Sequence, residues 1–263
     1  MSKEIENILR KLYETIEKFY PEAVKIDYKK YLEKSGLINL LNNQEGSLTF
    51  LVDIKNLKVI YISENVLKCG NQEIEDDNLL PEFISFLAPE HLTFLSVFVI
   101  WSLNTLKIVP AQYKTKHHIN VWGLKLLDKN HQKARWYMNI VPLEFNIEQN
   151  PTLVALSIQE ITHLIKGDDY MIRASFGEKN EHVFVYHSNE EKTVEHDIIS
   201  EREGEVLRYV SQGFDTKQIS QLMNISPNTV DNHRRNMLAR TGTRDTTALI
   251  QLCKMLGLHN FGL

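Results

Sequence analysis

Four helices, each opened by its own capping signal, follow one another in the last quarter of the chain. That run commits this end of the protein to an all-helical unit. Ser200-Glu201-Arg202-Glu203 is a capping box, in which Ser200 satisfies an orphan N–H and Glu203 reaches back. Val206, Leu207 and Val210 then form one apolar stripe, and Gly213 supplies a left-handed stop. Thr216 is placed to cap a second helix with Ile219, Leu222 and Met223 on its buried side. After the turn at Asn224-Ile225, Ser226-Pro227 provides an N-cap with proline at the first helical position. The third helix runs to about Arg240 and stops at Gly242. The fourth is capped near Asp245 and carries Leu249, Leu252, Cys253 and Leu256 along one side.

Helix, short turn and helix is the spacing by which a helix-turn-helix offers its second member to the major groove. At 100° per residue, Met237 and Thr241 fall within about 20° of Val230, which fixes the inward face of the third helix. Asn228, Asn232, Arg235 and Ala239 point away, roughly 140–200° around. Amide and guanidinium tips on such a face suit base edges, Asn pairing with adenine and Arg with guanine. Thr216, Lys217, Ser226, Thr229, Arg234, Arg240 and Arg244 flank it as phosphate partners. His233, about 60° from Val230, sits beside the core and reads as structural.

The charge distribution agrees. The whole chain carries a net charge of −4, which by itself argues against a nucleic-acid partner. Residues 197–263 nevertheless carry eight Lys/Arg against seven Asp/Glu, whereas residues 1–196 carry 22 against 27. From Ser226 to Arg244, four arginines face only Asp231. Screening over a Debye length of about 8 Å leaves a phosphate backbone sensitive to that local patch.

The stretch from Ile198 to Ile250 resembles the LuxR/GerE-type DNA-binding domain without a gap. The matching elements are Ser200-Glu201-Arg202-Glu203, Glu205-Val206-Leu207, Gly213, Lys217-Gln218-Ile219, Ile225-Ser226, Thr229-Val230, His233 and Met237-Leu238. The resemblance implies binding to promoter DNA as a dimer, with the third helix in the major groove. It places base contacts on Asp231, Asn232 and Arg235, and phosphate contacts on Lys217, Ser226, Thr229 and Arg240. It gives the fourth helix a role in pairing, through Leu249, Leu252, Cys253 and Leu256. Two residues depart from the family pattern. Asp231 stands where a basic or small residue is usual, and a carboxylate there repels phosphate but can accept from cytosine N4. Gly204 lies inside the first helix at a cost of about 1 kcal/mol relative to Ala.

Upstream the periodicity changes. Residues 1–20 form an amphipathic helix on Ile5, Ile8, Leu9, Leu12, Ile16 and Phe19, and Tyr28–Leu41 is a second short helical stretch, read as a packed face or a pairing element. Two β-rich runs flank Asp53–Leu57, a short helix closes at Gly70, and a longer helical region runs from Pro89 to about Leu106. Three further β-rich runs (His118–Leu127, Arg135–Phe145 and Leu153–Ile161) follow, and Tyr170–His187 reads as another hairpin around GEKNE. Hairpins without βαβ crossovers predict an antiparallel sheet with helices on one face. The expected organisation is α+β: an N-terminal helical segment at 1–45, a sheet domain at 46–187, a polar linker at 188–196 and an all-α four-helix domain at 197–263.

The sheet region from about Gly46 to Lys166 is similar to a PAS domain. The likeness rests on Phe50-Leu51-Val52-Asp53, Val59-Ile60-Tyr61-Ile62-Ser63, the small helix ending at Cys69-Gly70, the long helix starting near Pro89-Glu90-His91, and the closing Gln159-Glu160-Ile161-Thr162-His163-Leu164. It implies a sensory or pairing module, with any ligand held between sheet and helices. Alternation puts Trp136, Met138 and Ile140 on one strand face, and Leu153, Ala155, Ser157 and Gln159 on one face of the next. Trp136, Met138 and Gln159 are therefore the candidate ligand contacts, with Gln159 as a polar handle or an edge amide facing solvent. The cofactor stays unassigned. Cys69 lies in Lys-Cys-Gly and lacks the flavin-reactive Asn-Cys-Arg setting, and His91 sits only at the start of the helix that would carry a haem ligand.

Catalytic and metal constellations are not in evidence. There is no Gly-x-Ser-x-Gly, Walker loop or His-Glu-x-x-His, and His117 and His118 point to opposite faces of a strand. Two distant cysteines, Cys69 and Cys253, give no disulfide framework. Leu92–Leu103 is too short for the roughly 20-residue membrane span and reads as a buried helix or strand. The sequence thus predicts a cytoplasmic, homodimeric bacterial transcription regulator that binds double-stranded promoter DNA, has no enzymatic activity and takes a small-molecule or protein signal at its front domain. The other reading is a protein-interaction scaffold with a degenerate helical docking module.

Overall fold

The β-rich runs of the middle of the chain come together in one antiparallel sheet. A computed structural model describes residues 3–20, 47–63, 84, 86–127 and 132–258. The expected helices at Tyr28–Leu41 and before Gly70, together with Cys69, lie outside the described residues. The described elements are α1 (Lys3–Phe19), β1 (Leu48–Asp53), β2 (Lys58–Ile62), a 3-10 turn at Pro89–His91, α2 (Phe94–Ile108), α3 (Ala111–Lys114), β3 (His117–Leu127), β4 (Lys133–Phe145) and β5 (Pro151–Glu160). They continue with β6 (Met171–Phe176), β7 (His182–His187), β8 (Lys192–Val194), α4 (Glu201–Ser211), α5 (Thr216–Met223), α6 (Pro227–Thr241) and α7 (Thr246–Met255). The class is α+β.

Strand order across the sheet is β2-β1-β5-β4-β3-β6-β7-β8. Alternation along each strand divides the side chains between two faces, and each face finds its own cover. On the inner face Val121, Met138, Ile158, Ile172 and Phe184 pack with Leu12 and Ile16 of α1 and Phe94, Leu103 and Leu106 of α2. The Tyr20 hydroxyl, 2.6 Å from the Pro151 carbonyl, ties the end of α1 to β5. On the outer face Trp122, Tyr137, Met171 and Val185 pack with Ile198 and Ile199, just before α4, and with Leu249, Leu252 and Leu256 of α7 and its cap. The architecture is helix layer, sheet, helix layer.

Two expectations change. Residues 188–196 are not a plain linker: Lys192–Val194 forms the edge strand β8, with Val185 opposite Val194 and Tyr186 opposite Thr193. Thr193 is fixed there by the Trp101 indole, which donates to its hydroxyl at 2.9 Å. The apolar stretch at Leu92–Leu103 is a helix, as one alternative held, but only part of it is buried. Pro89–Ile108 is long and apolar enough to cross a membrane by composition alone; here it packs on α1 and the sheet and leaves Ile100 and Ile108 exposed.

The two helical layers do not touch the sheet in the same way. The inner contact is almost wholly apolar, whereas the outer one adds a set of polar ties. The Trp122 indole donates to the Thr241 carbonyl at 3.2 Å, and the Tyr137 hydroxyl to the Met255 carbonyl at 2.5 Å. Lys166 and Gly167 N–H both donate to the Gly242 carbonyl, and the Arg244 N–H donates to the Leu164 carbonyl. Arg173, 1% exposed, grips Asp197 through two bonds of 2.8 and 2.7 Å at the entrance to the helical domain. Gly123 lets the β5–β6 connection approach β3 closely. It sits at φ +80 in a bulge between Trp122 and Leu124, and a Cβ there would lie 2.4 Å from the Asp169 carbonyl oxygen.

Candidate nucleic-acid interface

Local chemistry sets the four C-terminal helices. Ser200 accepts from the Glu203 N–H while the Glu203 carboxylate accepts from the Ser200 N–H, closing the expected box. The start of α5 differs by one residue. Asp215, not Thr216, is the N-cap, because its carboxylate accepts from the Gln218 N–H at 2.8 Å and Gln218 returns the bond. Asn224 at φ 53 ends α5 in the left-handed region, and Asn224-Ile225-Ser226 is the whole turn before α6. Ser226 caps α6 on the Thr229 N–H at 3.1 Å, with Pro227 in the first turn.

This arrangement orients α6. Val230 and Met237 are 0% exposed and Thr241 1%, so the inward face is the one the wheel gives. Asn228, Asp231, Asn232, Arg235, Asn236 and Ala239 are exposed. The amides and the Arg235 guanidinium therefore project from one side of a helix held by its apolar reverse. Asn236 was not among the candidate contacts. Its spacing of four residues from Asn232 was the signal that would have found it.

The flanking groups sort into two sets. Lys217 is exposed beside the N-terminus of α5, and Ser226 and Thr229 sit at the N-terminus of α6, where the helix dipole favours an anion. Thr216, Arg234 and Arg240 are half-buried and bonded within the protein, and Arg244, although exposed, is bonded to it as well. Thr216 donates its hydroxyl to the Asp231 carboxylate at 3.0 Å and accepts from Arg234 at 3.1 Å. Asp231 is thus held from the α5 side, although it stays exposed. Arg240 pairs with Glu203, whose side chain is 8% exposed, at 2.5 Å. Burial alone would raise the Glu203 carboxyl, but its bonds to Arg240 and Ser200 outweigh it and hold the group below the usual carboxylate range. Arg244 lies on the β5–β6 connection, its Nε donating to the Ile165 carbonyl at 3.3 Å.

The expected pairing row is also used internally. Leu249, Leu252 and Cys253 are 0% exposed and Leu256 4%, all within the core shared by the C-terminal helices and the outer sheet face. As the chain is folded here, these side chains are not offered to a second copy. Amphipathic spacing alone does not distinguish a face covered by its own chain from one covered by a partner.

The front domain contains a cavity of about 340 Å³ between the sheet and α2. Trp136 and Met138 line it, as do Ile140 on the same strand and Val154, Leu156 and Ile158 on β5. Gln159 does not. It is exposed and lies opposite Tyr137, on the other face, because Met138 pairs with Ile158 and Ile140 with Leu156. His91 is buried, and its Nδ1 accepts from the Lys125 N–H at 2.9 Å. Desolvation, and then Lys125 nearby, lower its pKa. Among the described residues no group of three or more His, Cys, Asp or Glu could hold a metal ion.

Residues 197–253 match the model of bacterial regulatory proteins of the luxR family. No curated protein sequence matches the chain. Solved structures similar to it include the phage VqmA–DPO complex, at 16% identity and a TM-score of 0.31 over 87% of this chain and 90% of that one. The Vibrio cholera VqmA–ligand–DNA complex is 14% identical with a TM-score of 0.30, covering 86% and 87%. Escherichia coli SdiA is 13% identical with a TM-score of 0.26, covering 94% and 97%. Likeness at these scores is too slight to inform either site. The segment that matches the model of luxR-family bacterial regulatory proteins is thus the one that carries the capped helices, the three-residue turn and the outward amide and guanidinium face.

Proposed function

We propose that this chain is a cytoplasmic transcription regulator that binds promoter DNA as a dimer, and that its front domain is a PAS-like sensor of a small molecule. Asn232 and Arg235 read base edges, while Lys217, Ser226 and Thr229 hold phosphates. Two copies engage half-sites one helical turn apart, the arrangement a helix-turn-helix dimer requires. The strand order β2-β1-β5-β4-β3, with α2 across one face, supports the PAS-like reading.

One observation carries the regulatory part. Consecutive residues of β4 serve both halves of the molecule: Trp136 and Met138 line the cavity, and Tyr137 between them donates to the Met255 carbonyl at the end of α7. A ligand that shifts β4 by a fraction of an ångström moves a residue bonded to the DNA-binding domain. Among the described residues the sheet is the only layer between the two sites.

The test is selection from a random duplex library, followed by a salt series on the selected site. Binding that weakens steeply with salt is expected, and Arg235→Ala should cost about 1–3 kcal/mol and relax preference at one base pair. If no duplex is enriched, the reading of α6 as a reading helix fails; if Arg235→Ala leaves affinity and preference unchanged, the assignment of Arg235 fails.

A further inference from the structure

Of the arginines on α6 and the turn behind it, Arg234 donates to the Thr216 hydroxyl and Arg240 pairs with Glu203. Arg235 and Arg244 are exposed, and among the described residues neither makes an ion pair. Arg244 differs from Arg235 in how it is held. Its backbone N–H donates to the Leu164 carbonyl at 2.9 Å and its Nε to the Ile165 carbonyl at 3.3 Å. Ile165 bridges to Thr243, and the Lys166 and Gly167 N–H groups donate to the Gly242 carbonyl at 2.9 and 3.2 Å. The turn that ends α6 is thus laced to the β5–β6 connection of the front domain. That connection is fixed to the sheet in its turn by Arg135, which is nearly buried. The Arg135 N–H donates to the Thr162 hydroxyl at 2.9 Å and its guanidinium to Asp168 at 2.7 Å, where Lys125 Nζ also lies at 2.7 Å. Asp168 is therefore held between two cations, and Asp245, next in sequence to Arg244, is occupied in capping α7 on the Ala248 N–H at 2.9 Å.

We propose that the β5–β6 connection positions Arg244 to hold a DNA phosphate, so that the front domain completes the DNA-binding surface while the two halves are docked. This rests on the reading of α6 as the helix that enters the major groove. With Nε on the Ile165 carbonyl, the two Nη atoms remain, the end of the fork that grips a phosphate. From Arg235 to Thr241, where α6 ends, the helix rises about 9 Å. That distance carries a residue from the middle of a major groove about 12 Å wide to its bordering strand, where phosphates and not base edges are met. An arginine that is free in water loses rotamer freedom when it binds. Here the Nε bond and the braced turn have already taken part of that loss, and pre-organisation of this kind raises affinity. Asp168 and Arg135 touch no DNA; they are positioning residues that act through Arg244.

The test uses the full chain and the duplex enriched from the library, with affinity read by fluorescence anisotropy across a salt series. Arg244→Ala should lower affinity about fivefold at every sequence and reduce the salt slope by about 1, with base preference unchanged. Asp168→Ala removes an exposed negative charge, so by charge alone it should tighten DNA binding. The brace requires the opposite, a loss of about threefold, and no further loss where Arg244 is already Ala. General damage to the fold would instead lower affinity equally in both backgrounds. Unchanged affinity and slope in Arg244→Ala, a changed base preference in that variant, tighter or unaltered binding in Asp168→Ala, or an equal loss in both backgrounds each overturns the proposal while the reading of α6 stands. If the wild-type protein binds no duplex, the reading of α6 fails, and the proposal falls with it.

Discussion

Replacing Arg173 with Ala tests whether the DNA-binding domain is held to the sheet by specific bonds or only by apolar contact. Arg173 is 1% exposed and makes a two-pronged pair with Asp197 at 2.8 and 2.7 Å. Removing one partner of a buried pair costs about 3–5 kcal/mol, mostly through the charge left behind. The Asp197 side chain is 23% exposed and keeps its bond to the Ile198 N–H at 2.7 Å, so water recovers part of that loss. The expected cost is therefore about 3 kcal/mol, the low end of the range. At ~2–4 °C per kcal/mol for a chain of this size, unfolding as one unit would lower the melting temperature by about 6–12 °C. Hydrogen exchange separates global loss from undocking. The Lys166, Gly167 and Arg244 amides bridge the two halves and should exchange faster, while the Val230 amide inside the helical domain keeps its protection. A double-mutant cycle with Asp197→Asn should return a coupling of about 2 kcal/mol. A loss under about 0.5 kcal/mol, with unchanged exchange at the three bridging amides, would refute the argument.

Asp231→Asn keeps an oxygen for the Thr216 hydroxyl but removes a negative charge from the DNA face, so affinity should rise about fivefold, ~1 kcal/mol, across all duplexes. A changed preference at a single base pair in the library selection would show instead that Asp231 reads a base. His117 is 3% exposed between Phe145 and Phe176, and burial lowers its pKa to about 4, against a smaller opposing bond to the Lys114 carbonyl. Folding therefore favours the neutral ring: its stabilising contribution is complete above pH 6.5 and is lost as pH falls through about 4, a change of ~3 kcal/mol. Denaturant titrations from pH 7 to pH 4 should show that slope in the wild-type protein and a shallower one in His117→Phe; equal slopes would place the acid-sensitive group elsewhere.

What the sequence disclosed divides by the range of the interaction that fixes it. Ser200, Ser226 and Asp245 cap their helices through bonds spanning three residues, and those spacings are visible without any fold. The cap of α5 was equally local, and Asp215-Thr216-Lys217-Gln218 carries the box that places it one residue before Thr216. The inward face of α6 followed from periodicity alone. Tertiary partners were not readable. Arg240 matches a phosphate contact in type and position, and nothing near it in sequence announces that Glu203 folds against it. Gln159 was placed correctly in its alternating row, but which row faces the cavity depends on the register with β4, where it lies opposite Tyr137. The three residues of β8, Lys192, Thr193 and Val194, are too few to show a period, and an edge strand needs no apolar face to pair.

The polar ties on the outer sheet face bear on how this protein could switch. An apolar contact alone would let the helical domain slide, since dispersion and burial are nearly indifferent to register. The Trp122, Tyr137 and Arg173 bonds fix one position, and each ends on a group that water can satisfy once the domain lifts away: two carbonyls at helix ends and one carboxylate. The two bonds to carbonyls add only about 1 kcal/mol each against water, so the cost of opening lies in the Arg173–Asp197 pair and in the apolar core that the sheet shares with the C-terminal helices. The exposed face of α6 keeps its amides and Arg235 available in this closed position, whereas the α7 row is covered. A single copy can therefore test DNA while docked. Any pairing that uses the Leu249, Leu252, Cys253 and Leu256 row must wait until the domain leaves the sheet, and the residue next to that hinge of bonds is Trp136, on the cavity wall.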